Sequence, residues 1–300
     1  MYPRTWGQGA IFAPSALDTT VTLRDSLVGT LCGDCLGIVF HTTTRRLLYF
    51  QHESRIRRIL HRLVGSDVLI TDLYDNHGDR STLQLAYLNQ HTLVGTCSPG
   101  CRAIMASTLG VAPETGSVVV DEADGDHMAL VYAEGGKFAL SHNRASAEAA
   151  VHGARLGLIA DVEAVVATHA YFFDCLPTPS ASELAEAVSA AFGVLKANIL
   201  SPEGLIKHRW TTPDRIPHRY MWLWDSAFHA LGLRHLSPEL AADAILAVLD
   251  CQAPDGFIPH MATPERISRI TQPPVLAWAL WQVFALGQCT DHLAEAYPKL

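Results

Sequence analysis

The spacing of apolar residues changes character about three-fifths of the way along the chain. From about residue 16 to 175 the apolar runs are short or alternate with polar residues, the mark of half-buried strands. They include Val21-Thr22-Leu23, Leu36-Gly37-Ile38-Val39-Phe40, Leu47-Leu48-Tyr49-Phe50, Val68-Leu69-Ile70, Leu83-Gln84-Leu85-Ala86-Tyr87-Leu88, Val118-Val119-Val120 and Met128-Ala129-Leu130-Val131-Tyr132. Turn-forming clusters separate them, at Asp75-Asn76-His77-Gly78-Asp79, Ser98-Pro99-Gly100 and Glu134-Gly135-Gly136. Strands joined by such turns predict an antiparallel sandwich rather than βαβ units. Two segments read as helices inside this region: the basic stretch Arg55–Val64, with its arginines on a solvated face, and the Ala-rich Ala145–Arg155.

Beyond Leu176-Pro177-Thr178-Pro179-Ser180, which reads as a linker, the period becomes helical. Ser180 and Glu183 have capping-box spacing, and Leu184, Val188, Phe192, Leu195 and Ile199 recur as one helix face. A loop of about two dozen residues then leads to a short helix carrying Phe228 and Leu231, longer than most connections and so a hint of function. Ser237-Pro238-Glu239 starts a third helix, with Ser as N-cap and Pro at the first turn. After a loop from Gly256 to Thr271, a very apolar helix spans Val275 to about Leu286, and a fifth begins near Asp291. The division expected is a β-rich domain over 1–175 and a helical domain over 176–300.

Composition narrows the function classes. Hydrophobic residues form 49% of the 300 and charged residues 17%, so the surface is rather apolar and suited to burial against another domain or a second copy in a homo-oligomer. The net charge of −8, without a basic tract, argues against nucleic acid. No run of about 18 apolar residues suggests a membrane span, and the start lacks a signal-peptide stretch. The seven cysteines, an odd number, then suggest reduced thiols in a cytoplasm. Cys32, Cys35, Cys97 and Cys101 have spacings that a four-thiolate zinc site tolerates, against a default of small buried cysteines. No Gly-rich phosphate loop or Gly-x-Ser-x-Gly elbow is present, and no cofactor is expected.

The chemistry concentrates in the helical region's loops. Trp222-Leu223-Trp224-Asp225-Ser226-Ala227-Phe228-His229 sets a carboxylate among aromatic residues. Such walls disfavour ionisation and offer a face to a sugar ring. The plain alternative is aromatic core with Asp225 as a helix cap, where the helix dipole would lower its pKa instead.

Asp225 is joined by Arg209-Trp210-Thr211-Thr212-Pro213-Asp214-Arg215, by Gln252-Ala253-Pro254-Asp255-Gly256-Phe257-Ile258-Pro259-His260-Met261 and by Ile270-Thr271-Gln272-Pro273-Pro274. In this order, with helices between, these loops resemble the six-hairpin (α/α)6-barrel glycosidases, nearest the glycoside hydrolase family 63-like set that includes mannosylglycerate and glucosylglycerate hydrolases. The resemblance covers about residues 180 to 290. It implies an α/α toroid, incomplete in this chain, and an inverting hydrolase of a small α-linked glycoside with Asp225 as general acid. It also implies a general base from a glutamate beyond Leu300. Trp222 or Trp224 would stack on a sugar, and Arg215, Gln252, His260 and Gln272 would bind hydroxyls or a charged aglycone. Each has an ordinary structural alternative, a backbone bond in the case of Gln272. Two other functions remain open: a carbohydrate-binding or scaffold protein that has lost its base, and an α/α-barrel phosphorylase.

Overall fold

The computed structural model describes residues 1–5, 7, 9–33, 36–43, 45–107, 119–285 and 290–300. These form two compact units, Met1–Pro14 with Asp25–Gly193, and Ser15–Arg24 with Val194–Leu300. The sequence reading set the boundary at 175/176; the units divide instead at Gly193/Val194, and a short N-terminal segment belongs to the second.

The first unit is antiparallel throughout. One sheet has five strands in the order β1 (Ile11–Phe12), β2 (Gly29–Cys32), β3 (Gly37–His41), β4 (Arg45–His52) and β9 (Cys101–Ser107). The other has seven, in the order β10 (Val119–Ala123), β11 (Asp126–Tyr132), β12 (Lys137–Asn143), β8 (Thr92–Cys97), β7 (Arg80–Tyr87), β6 (Val68–Asp75) and β5 (Ile56–Val64). Between the sheets lies a core of Phe12, Leu31, Ile38, Phe40 and Leu48 from one side and Leu83, Leu85, Leu93, Leu130, Phe138 and Leu140 from the other. The seven-stranded sheet is covered on its outer face as well. There Ala86, Val94, Ala129 and Ala139 meet Ala150, Ala154, Val162, Val166 and Phe173. These last belong to helices α1 (Ala147–Ile159) and α2 (Val162–Asp174). Double burial explains the unbroken apolar run Met128-Ala129-Leu130-Val131-Tyr132 in β11. On the helix side the residues are small, and α1 sits so close that a Cβ on Gly157 would stand 2.9 Å from that of Ala139. Among the described residues no single helix is long and apolar enough to cross a membrane; α1 and α2 meet at a bend of 86°.

Three sequence expectations are corrected here. Within the segment read as a helix over Arg55–Val64, residues Ile56–Val64 form strand β5. Its apolar residues, Ile56, Ile59, Leu60, Leu63 and Val64, fall at helical intervals, but two bulges, between Ile56 and Arg58 and between His61 and Leu63, displace the strand's period of two. As the edge strand it also leaves Ile59 and Leu60 in solvent. Val21–Leu23 is not a strand: the Val21 amide donates to Ser201 Oγ at 2.9 Å and that of Leu23 to Glu203 Oε2 at 2.9 Å, fastening the segment into the second unit. Residues 162–174, read as part of the β-like region, are α2, capped by Asp161 Oδ1 accepting from the Ala164 amide. The Ala-rich helix is present as α1.

The second unit contains the end of α3 (Ala185–Ala197), then α4 (Leu223–Leu233), α5 (Pro238–Asp250), α6 (Leu276–Phe284) and α7 (Thr290–Ala296). Helix α5 is capped by Ser237 Oγ, with Pro238 in its first turn as its sequence requires, and buries residues on every side, so it forms the centre of this core. Two short antiparallel strand pairs tie the loops together, β13 (Ile199–Leu200) with β14 (Trp210–Thr211) and β15 (Met221–Trp222) with β16 (Met261–Ala262). Helices joined by long loops on alternate connections agree with a partial α/α arrangement; a complete toroid is not seen among the described residues.

Candidate active site

Helix α4 begins without a cap of its own. Trp222 occupies the N-cap position in an extended conformation and has no side-chain oxygen to offer. A distant loop supplies the acceptors. The His260 carbonyl accepts the Leu223 amide at 3.0 Å, and Gln272 Oε1 accepts the Trp224 amide at 3.0 Å. Pairing of Met221 with Ala262 and of Trp222 with Met261 holds that loop in place.

Asp225 therefore stands in the first turn of α4, not at its cap. Its own backbone N–H, the Trp224 side chain and the charge of His218 all favour the ionised carboxylate, yet burial outweighs them and raises its pKa above the ordinary 3.8. The direction suits a proton donor. One turn on, burial pushes the His229 pKa down to about 4, while its Nδ1 lies 2.9 Å from Thr211 Oγ1. A neutral imidazole there adds no positive charge that would draw Asp225 toward ionisation.

Aromatic groups flank the acid. The Trp222 ring meets His260 edge-on at 5.2 Å and His218 at 6.4 Å. Trp224 is 41% exposed, as a stacking platform must be, and Phe228 packs edge-on against Trp278 at 6.3 Å, both half-exposed. His260 is held by Ser268 Oγ, 2.6 Å from its Nδ1. Thus Trp222, Trp224, Asp225, His260 and Gln272 come together around the start of α4.

Arg215 and Gln252 are engaged differently. Arg215 is buried and donates from Nη1 to the Ala197 carbonyl at 2.7 Å, pinning its loop to the end of α3. Gln252 donates from Nε2 to the carbonyls of Gly256 at 3.0 Å and Lys299 at 2.8 Å. Gln272 makes the backbone bond already described. The sequence reading passed over His218 and Trp278, although His218 stands four residues before Trp222 in a polar loop.

Among the described residues the candidate zinc-ligand cysteines do not converge. Cys97 and Cys101 are in contact within the sandwich core, where the hydrogen bond to Cys101 and burial raise the Cys97 pKa and the same hydrogen bond lowers that of Cys101. Cys32 lies on β2, three strand steps from β9, or about 14 Å across the sheet, beyond the reach of one zinc ion; Cys35 lies outside the described residues. Within the second unit His208, Asp250 and Glu295 bring donor atoms within 4.8 Å of one another. Asp250 Oδ2 already accepts from the Lys207 amide at 2.7 Å and faces His208 Nδ1 at 2.9 Å, and Lys299 Nζ lies 3.7 Å from Glu295. Hydrogen bonds and an ion pair account for this group without a metal.

Residues 218–300 match the model of the mannosylglycerate hydrolase MGH1-like glycoside hydrolase domain. A mannosylglycerate hydrolase of Thermus thermophilus is 36% identical over 116 residues, spanning 30% of this chain and 28% of that protein. A glucosylglycerate hydrolase of Mycolicibacterium hassiacum is 30% identical over 116 residues, spanning 29% and 26%. The matched stretch is thus little more than a quarter of either relative. In three dimensions the chain is similar over its full length to a bacterial glucoamylase crystallised with acarbose, with a TM-score of 0.55 at 12% identity, covering 61% of that chain. The chain accordingly shares a six-hairpin glycosidase fold in part, and its residues 218–300, those that hold Asp225, are similar to the MGH1-like glycoside hydrolases.

Proposed function

We propose that the chain is part of an inverting glycoside hydrolase acting on a small α-linked glycoside, such as mannosylglycerate or glucosylglycerate, with Asp225 as general acid. One observation carries the reading: a carboxyl whose pKa is raised by burial, against three opposing influences, in a stretch that matches glycoside hydrolases. The reaction needs that proton on the leaving oxygen, while a second carboxylate about 6.5–9.5 Å away activates water on the opposite face of the ring. Trp224, with Phe228 and Trp278, offers apolar faces to the sugar, and His260 and Gln272 fix the loop beside them. Arg215 and Gln252 hold the loops in shape.

The test is Asp225→Asn in the complete gene product. Turnover of mannosylglycerate or glucosylglycerate should fall at least about 100-fold, the contribution of a positioned general acid. A glycosyl fluoride, whose leaving group needs no proton, should be largely spared. Equal loss on both substrates, or no loss on either, contradicts the assignment.

A further inference from the structure

The first unit contains a cavity of about 300 Å³ lined by Asp25, His91, His142, Asn143, Arg144 and Ala145. That volume is at the small end of ligand pockets, enough for one sugar-sized molecule. Its floor is a buried network around Asp126. The Asp126 carboxylate accepts from the Thr43 amide and hydroxyl, faces His142 Nε2 at 3.0 Å and pairs with Arg144 Nε at 3.3 Å. Burial opposes ionisation, but the Thr43 and His142 donors outweigh it and hold the pKa down to about 2. His142 is only 3% exposed, and burial lowers its pKa, so its ring is neutral near pH 7, donating from Nε2 and leaving Nδ1 as an acceptor. That Nδ1 is buried without a partner, and so is Nδ1 of His91. Two unsatisfied imidazole nitrogens on residues that line one cavity are uncommon, because buried polar atoms normally find partners.

Charge and donor balance select the ligand. The carboxylates of Asp25 and Asp126 are balanced by two guanidiniums, that of Arg144, paired with Asp126, and that of the buried Arg46, which donates to the Asp126 carbonyl at 3.2 Å, so no net charge selects an ion. The His–Asp–Glu donors that do converge in the second unit are elsewhere. Asn143 Oδ1 is occupied by the Ala145 amide at 2.8 Å, so its NH₂ group is presented as a donor beside Arg144. Asp25 and the imidazole nitrogens are acceptors. Hydroxyl groups, which donate and accept at once, satisfy both sets.

We propose that this cavity binds a neutral, monosaccharide-sized polyol, at a site separate from Asp225. The two shielded nitrogens gain their partners when the half-buried His91 ring turns toward the bound hydroxyls.

The proposal is tested by imidazole ¹H–¹³C spectra of the 300-residue chain titrated with glucose, mannose and glycerol, with phosphate and Zn²⁺ as comparison ligands. The ring signals of His91 and His142 should move saturably with at least one polyol, equally in wild type and in Asp225→Asn. Asp25→Asn should weaken that binding at least about tenfold, because a carboxylate acceptor becomes a neutral one. His91→Ala, which leaves both backbone bonds of residue 91 intact, should weaken it too and serves to assign the signals. No shift with any polyol, shifts with phosphate or Zn²⁺ alone, or unchanged affinity in Asp25→Asn would overturn it. Disappearance of the response in Asp225→Asn would do the same, by placing the binding at the acid.

Discussion

Asp225 shows how a pKa is decided by competition. Helix position, an indole donor and His218 pull it down, and burial among aromatic groups wins. Removing one of the losing influences should therefore raise it further. In His218→Gln the alkaline limb of the kcat/KM profile, which reports loss of the acid's proton, should move to higher pH; an unchanged limb would separate His218 from the site. His229 gives a stability prediction. Its folded pKa of about 4 lies below the ordinary 6.5, so the unfolded chain binds the proton more tightly. The stability it permits is complete above pH 6.5 and falls as pH drops toward 4, by about 3 kcal/mol. His229→Gln, which can keep a hydrogen bond to Thr211, should flatten that part of the pH–stability curve; an identical slope refutes the shift.

At the level of elements, the N-terminus of α4 depends on residues almost 50 positions away. Gln272→Ala should cost about 1 kcal/mol of stability, the usual worth of a lost cap, and denaturant unfolding measures it. Strand β5 offers a sharper contrast. Ile59 is 46% exposed and Leu63 fully buried, so Ile59→Lys should stay within about 0.5 kcal/mol of wild type while Leu63→Lys prevents stable folding. A helix would place both on one face and make them alike. These two elements also mark what the sequence does and does not disclose. Caps made locally are legible, as at Ser237-Pro238. Bulges are not, since an inserted residue converts a strand's alternation into helical spacing. Nor are caps borrowed across a loop: Gln272 looks like a ligand-binding amide until its backbone partner is known. Arg215 and Gln252, polar side chains in functional-looking loops, likewise bond to backbone carbonyls that the sequence does not pair with them. Asp225 and its aromatic neighbours were legible because they are contiguous.

For the molecule as a whole, each unit has its own polar anchor. In the sandwich it is Asp126, buried among hydrogen-bond donors with a pKa of about 2. Being below the ordinary carboxylate value, it supplies stability above about pH 4 that is lost as pH falls through 2. Asp126→Asn should lower Tm at pH 7, with the gap to wild type closing in acid; a constant gap would mean that charge is not the cause. In the helical unit the corresponding group is Asp225, whose cost of burial runs the other way, since a raised pKa makes its ionised form the strained one. That direction is the one the general-acid role proposed for Asp225 requires. The most direct test is the titration of the Asp225 carboxyl carbon by ¹³C NMR, assigned through Asp225→Asn. A midpoint clearly above 3.8, coincident with the alkaline limb of the hydrolysis profile, is the predicted result; a midpoint at or below 3.8 would contradict the account.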